Sequence, residues 1–288
     1  MDIIVQIALN AVIAGATYSL VALGVNLLYS TGRFFDLGYG GLMTVGGYAA
    51  FFLYKESGFP LVAALVLAVI ITGIIGFVIE KLIYRPLRQR KASNTVLLIA
   101  SLGVITVIQA GLAMAFTSQF QTLSRNIAGQ RTFEISGGII TETQVVILVA
   151  GLVVMALLGV VLKYTLWGKA VRAVADDEEV AQVVGINSER VIGIIFFIGA
   201  CIGAMAGIAV GFDTGLQPTM GLPLLLKGIV AAIIGGIGNV WAGVIGAFAL
   251  AIIENLGAWK FSGEWKDAIS FAVLIFFLIF RPQGIWPK

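Results

Sequence analysis

Residues 61–79 read LVAALVLAVIITGIIGFVI, a run with no charge and a lone threonine hydroxyl. A bilayer core takes about 20 such residues to cross as a helix, and a stretch this oily has no place on a water-facing surface. Comparable stretches recur near 3–29, 36–54, 60–84, 93–116, 143–166, 190–212, 222–238, 241–257 and 266–281. The expectation is an all-α polytopic membrane helix bundle with about nine spans. The stretches 36–54, 222–238 and 241–257 are short or broken by glycine, so each can cross fully or re-enter as a half-helix. Of the whole chain, 59% is hydrophobic and 11% charged. Soluble domains are about a quarter charged, so these few charges do not cover a surface in water. No linker or low-complexity tail interrupts the pattern, and residues 1–288 read as a single transmembrane domain.

Several chemistries are disfavoured at once. There is no histidine, the commonest metal ligand and proton shuttle. Cys201 is the lone cysteine, so neither an internal disulfide nor a cysteine metal site is available. No acidic cluster lies within the spans, and no catalytic or metal-binding residue is expected. No GxxxxGK[ST] phosphate loop occurs, so ATP is not hydrolysed here by that route. The net charge of +3 comes with no basic cluster interleaved with aromatics, which argues against nucleic acid. MDIIVQIALN lacks the basic start of a cleaved signal peptide and reads as the beginning of a retained span.

Lysine and arginine mark the cytoplasmic side. The segment RPLRQRKAS carries Arg85, Arg88, Arg90 and Lys91 and sets the orientation. Arg33, Lys163, Lys169, Arg172, Arg190, Arg281 and Lys288 then also fall inside, while Lys55, Arg125, Arg131, Lys260 and Lys266 fall outside. This puts the N-terminus outside and the C-terminus in the cytoplasm. The one long external loop, 117–142, contains FEISGGIITE, whose Gly-Gly pair suits a small hairpin.

A charged, helix-forming segment, WGKAVRAVADDEEVAQVVGI, interrupts this pattern after the fifth span. Asp176 and Glu179 have capping-box spacing, the acids suit a helix N-terminus, and Gly185 can stop the helix. Asn187 or Ser188 then starts the next span. The segment 167–188 is either an ordinary solvated loop or a short helix on which a soluble partner docks and pushes.

GKAVRAVADDEEVAQVVGINSERVIGIIFFIGACIGAMAGI resembles the cytoplasmic-loop signature of permease subunits of ABC importers for branched-chain amino acids, with Gly168, Arg172, Ala173, Asp176, Ala181, Gly185, Ile186 and Asn187 on the pattern. KGIVAAIIGGIGNVWAGVIGAFALAIIE (227–254) and EWKDAISFAVLIFFLIFRPQGI are similar to further stretches of that family, so the likeness runs through most of the chain. Many members carry Asn-Phe-Ala-His-Gly-Glu after the first span. Here Asp36-Leu37-Gly38-Tyr39-Gly40-Gly41 stands there, a version similar to the partner permease of the same heterodimeric importers.

The resemblance implies that residues 169–186 form a coupling helix seated on a cytoplasmic ATPase, with Glu179 among its contacts. It also implies a second permease, two ATPase subunits that bind the ATP, an external solute-binding protein, and a home in the bacterial inner membrane. No cofactor is expected on this chain itself.

Lys227 and Glu254 are charges inside spans, where they are costly and usually paired or pore-facing. With a turn near Gly238-Asn239 their depths differ by about 6 Å at 1.5 Å per residue, so they are expected to pair. Thr17, Tyr18, Asn26, Asp36 and Tyr39 join them as candidates for the translocation path. Asn10, Ser101, Thr106 and Gln109 add polar groups to the first and fourth spans. Gly199, Gly203, Gly207 and Gly211 line one face of the sixth span, for packing within the chain or for a sliding or dimer surface. The glycines from Gly38 to Gly47 suggest unwound or closely packed backbone. Trp167, Trp241, Trp259, Trp265 and Trp286 fall near span ends, as an interfacial belt.

Three function classes remain in view. They are an ABC importer permease for branched-chain or other neutral amino acids, the same machine for urea or another small polar solute, and a stand-alone secondary transporter or channel. The last has no use for the charged helix at 167–188.

Overall fold

The computed structural model describes residues 2–124, 132–135, 137–281 and 283–286. Each apolar stretch is a helix. α1 is Asp2–Gly32, α2 Gly38–Phe51, α3 Leu61–Ile79, α4 Arg85–Gln89, α5 Asn94–Phe116 and α6 Glu142–Tyr164. The charged interruption forms α7 (Leu166–Asp176) and α8 (Glu178–Val183), followed by α9 (Ser188–Asp213), α10 (Gly221–Gly235), α11 (Val240–Phe261) and α12 (Lys266–Phe280). π-helical turns at Phe52–Glu56 and Glu80–Tyr84 extend α2 and α3. Among the described residues, α1, α3 with its extension, α5, α6, α9 and α11 are the six helices long and apolar enough to cross a bilayer. The shorter three are α2, α10 and α12. The stretch 241–257, expected to be short or broken, lies instead in the continuous 22-residue α11.

Contacts sort the helix ends into two sets. At one end the predicted hairpin forms, β1 (Thr132–Ile135) antiparallel to β2 (Gly138–Thr141). The Gln6 side chain brackets it by accepting from the Ile139 amide at 2.8 Å and donating to its carbonyl at 3.2 Å. The end of α2 reaches the same region through Lys55, which donates to the Ser124 carbonyl at 3.1 Å. At the other end, α7 and α8 pack beneath α1, α6 and α9, and Arg33 donates to the carbonyls of Ala175 and Asp176 at the end of α7. Arg85 pairs with Glu189 there, and Arg88 with Glu80. These are the hairpin end and the connector end. Arg125, Arg131 and Lys288, used in the charge count, lie outside the described residues.

α1 and α9 form the centre. In their most apolar windows 83% and 72% of residues are buried, against 28% or less in α3, α5 and α6. The outer helices turn broad apolar faces outward, Val107 and Met114 on α5 and Leu157 on α6 among them, as a lipid solvent permits.

Lipid tails are as apolar as leucine, so close backbone approach carries helix association. The α9 glycines do this within the chain, as the packing reading expects. Gly199 meets Leu28 of α1, Gly203 meets Tyr39 of α2, and a Cβ at Gly207 would overlap the Met43 carbonyl. Gly46 of α2 faces Ala204 in return, and Gly40 faces the backbone of Gly221 on α10. The α2 glycines are thus closely packed, and the helix is not unwound.

Candidate functional site

The connector element differs from its expected form. It is two helices, not one, and the cap of the second is Asp177, one residue after the expected Asp176. Asp177 is extended (φ −154°, ψ 114°), and its carboxylate accepts from the amides of Glu179 at 2.9 Å and Val180 at 3.0 Å. Asp176 is the last residue of α7. Sequence spacing alone does not separate two adjacent aspartates; the break falls where the chain must change direction.

Thr165 caps α7 by accepting from the Gly168 amide at 3.0 Å. Gly168 lies so close to the carbonyls of Val161 and Leu162 that no Cβ fits. Arg172 donates back to the Leu162 carbonyl. Val171, Val174 and Ala175 bury one face of α7, with Ala173 partly buried beside them, and Ala181 buries the inner side of α8. Gly185 ends α8 in the left-handed region (φ +89°), with its amide bonded to the Gln182 carbonyl and the Ile186 amide to the Ala181 carbonyl, both at 3.0 Å. That pairing is the Schellman stop. The element is held from within, yet Val180, Val183 and Val184 are largely exposed beside the exposed Glu179.

At the hairpin end a cavity of about 410 Å³ opens between α1, α10 and α12. Thr17, Tyr18, Asn10 and Ile13 of α1 line it with Lys227 of α10 and Lys266 and Asp267 of α12; Gln144 and Asp213 close one side. Lys227 Nζ lies 3.0 Å from Asp267 Oδ1, 3.6 Å from Glu254 Oε2 and 3.2 Å from the Tyr18 hydroxyl. Tyr18 in turn donates to Glu254 Oε2 at 2.7 Å, and Ser270 bonds the other carboxylate oxygen. Glu254 is fully buried. A buried charge persists only when it is paired and hydrogen-bonded, and here a cation and two hydroxyls meet that need. The expected Lys227–Glu254 pair is therefore present, with a second acid on the same lysine. Asp267, Lys266, Asp213 and Ser270 were not singled out from sequence. The three charges sit within a turn of helix ends, where charges ordinarily need no explanation, and Ser270 is a neutral hydroxyl.

A second cavity, about 340 Å³, opens at the connector end between Ser30, Lys163, Arg172, Asp176 and the turn Gly238–Trp241. Between the two, α1 is tightly packed: Leu20, Val21, Ala22 and Leu23 are all at most 2% exposed. From Tyr18 to Leu27 that barrier is about 14 Å long at 1.5 Å per residue.

The structure brings Thr17, Tyr18, Lys227 and Glu254 together and places Asn26, Asp36 and Tyr39 elsewhere. Asn26 staples α1 to the α10–α11 turn, accepting from the Gly238 amide at 2.9 Å and donating to the Asn239 carbonyl at 3.2 Å. Asp36 accepts from the Tyr84 hydroxyl at 2.6 Å, and Tyr39 is buried against Gly24 and Gly203. On α5, Ser101 bonds the Leu37 amide at 3.1 Å, and neither Thr106 nor Gln109 lines either cavity.

Apolar helices enclosing charged cavities at opposite ends, with a packed barrier between them, have the build of a multi-pass membrane permease. The chain belongs to the family described as branched-chain amino acid transport system / permease component, whose model matches residues 7–278. It is 33% identical over 288 residues to the high-affinity branched-chain amino acid transport system permease protein LivH of Escherichia coli K12, covering 96% of this chain and 93% of that one. It is 30% identical over 292 residues to the corresponding permease protein BraD of Pseudomonas aeruginosa, covering 97% and 94%. Among solved structures, a chain of PsaBC from Streptococcus pneumoniae in complex with Fab superposes with a TM-score of 0.55 at 11% identity, covering 96% of this chain and 92% of that one; this likeness concerns the fold alone.

Proposed function

We propose that this chain is the membrane permease subunit of an ATP-driven importer for branched-chain or other neutral amino acids, and carries out no covalent chemistry itself. It sits in the bacterial inner membrane with its N-terminus outside, so the hairpin end faces outward and the connector end faces the cytoplasm. A second permease completes the pathway. Two ATPase subunits bind the ATP, and an external binding protein delivers the solute. Thr17, Tyr18, Lys227 and Glu254 border the outer mouth of the path, whereas Asn26, Asp36 and Tyr39 lie in the packed body and line neither cavity.

The α7–α8 element carries this reading. It is rigidly tied to α1, α6 and α9, and it presents unpartnered valines at the end where an ATPase would dock. Gly168, Arg172, Ala173, Asp176, Glu179, Ala181, Gly185 and Ile186 are its proposed coupling residues. A push on α8 reaches α9 through Ser188, whose hydroxyl lies 3.4 Å from the Glu178 carbonyl, and one on α7 reaches the end of α1 through Arg33.

The test is Val183→Asp with Val184→Asp in the reconstituted importer. Both side chains are exposed, so insertion and assembly with the second permease should persist while ATP-driven leucine uptake falls at least ten-fold. Uptake at the parent rate by this variant would overturn the docking role.

A further inference from the structure

We propose that the hairpin-end cavity is a zwitterion site, in which an L-α-amino acid lies along the Lys227–Asp267 bridge with its carboxylate on Lys227, its ammonium on Asp267 and its side chain against Ile13, Val210 and Leu224. The proposal deepens the importer reading and rests on it.

Three observations carry it. The first is stoichiometry. Glu254 already neutralises Lys227, and it is itself committed to Tyr18 and Ser270. Lys227 therefore does not need Asp267 in order to be buried. Asp267 is an additional acid, 65% exposed, on the open side of the same ammonium. An ion pair with one exposed partner contributes little and exchanges readily.

The second is geometry. The ammonium and carboxylate of an α-amino acid flank one carbon, about 3 Å apart by ordinary bond lengths. The Lys227–Asp267 bridge spans 3.0 Å. Laid head-to-tail beside it, the solute's carboxylate takes the Lys227 donor that Asp267 gives up while Asp267 turns to the solute's ammonium, so every charge stays matched. Lys266 and Asp213 place a second charge of each sign on the wall.

The third is the wall itself. A volume of about 410 Å³ lies within the usual range for small-molecule sites, and apolar side chains fill the positions between the charged ones. A neutral solute such as urea can hydrogen-bond to both groups but brings no charge to neutralise either. A singly charged solute would leave one of them unmatched.

The test uses the complete importer in nanodiscs, with Thr17→Cys as reporter on the cavity wall and Cys201→Ser removing the native thiol. Labelling by a water-soluble maleimide is followed against L-leucine, leucinamide (no carboxylate) and 4-methylpentanoate (no ammonium). Leucine should half-protect at a concentration about ten-fold lower than either analogue. Lys227→Met should cancel its lead over leucinamide alone, and Asp267→Asn its lead over 4-methylpentanoate alone. A bridge that only ties α10 to α12 would not reorder the three compounds. Where those variants fail to assemble, Lys227→Arg and Asp267→Glu should keep the parental order. Equal protection by all three compounds, or by none, overturns the site. ATP-driven leucine uptake by the parent complex is read alongside. Uptake without protection sinks the site only, and no uptake of any amino acid sinks the importer reading with it.

Discussion

Removing the cation from the Lys227–Glu254 pair should be more damaging than removing both charges. Lys227→Met leaves Glu254 buried with Tyr18 and Ser270 as hydrogen-bond donors and no counter-charge within reach. Breaking a fully buried pair from one side costs about 3–5 kcal/mol. The lysine side chain keeps 17% of its exposure, so some solvent screening remains, and the expected loss is about 2–3 kcal/mol. Glu254→Gln retains a group for both hydroxyls and leaves Lys227 on Asp267, so it should cost only about 1 kcal/mol. The double variant removes the orphaned charge and should cost about 1–2 kcal/mol, less than the sum of the singles. The assay is reversible denaturation of the purified protein in mixed micelles, read as a double-mutant cycle. Single-variant losses that simply add would mean the two side chains do not interact, and the account of the buried network would be wrong.

Three further outcomes follow from the packing. Gly207→Ala forces a Cβ into the Met43 carbonyl and should destabilise the α2–α9 contact by about 1–3 kcal/mol, lowering the yield of folded protein in detergent; a folded yield equal to that of the parent would contradict the close approach. Asp177→Ala should remove the α8 cap at a cost of about 1 kcal/mol and speed amide exchange in 178–183, while Asp176→Ala should leave that exchange unaltered. Asn26→Leu strands the Gly238 amide and should cost about 1–3 kcal/mol, with protease nicking of the 236–239 turn as a direct readout; an intact turn at parental protease resistance would argue against the staple.

The helices were legible because lipid imposes a simple demand: each span must be long, apolar and internally hydrogen-bonded. That demand fixes where a span exists and not how its ends are finished. Hence 241–257, which looks broken by glycines, is continuous, since Gly243 and Gly246 are needed for α1 and α10 to approach α11. Lys227 and Glu254 stood out because a charge in the middle of an apolar run has few explanations. Asp267 and Lys266 did not, because the same charges at a helix end are ordinary. Asn26 was visible as a polar group within a span, but nothing in the sequence distinguishes a pore lining from a staple to a turn 213 residues away. The coupling segment announced itself through composition, whereas its division into α7 and α8 depends on which of two adjacent aspartates leaves the helix.

The buried Lys227–Glu254 contact also bears on how the chain enters the bilayer. α10 has 15 residues, about 22 Å of helix, and carries a lysine. A central lysine opposes insertion by about 2.5–3.5 kcal/mol on translocon scales. Left to itself, α10 is a poor candidate for release into lipid. α11 brings the carboxylate that answers that lysine, and the Gly236–Asn239 turn lets the two helices fold back on each other. The unit handed to the membrane during synthesis is then the α10–α11 hairpin, not either helix singly. In nascent chains truncated between α10 and α11, a cysteine placed in α10 should stay open to a water-soluble maleimide, and in those extended past Glu254 it should not.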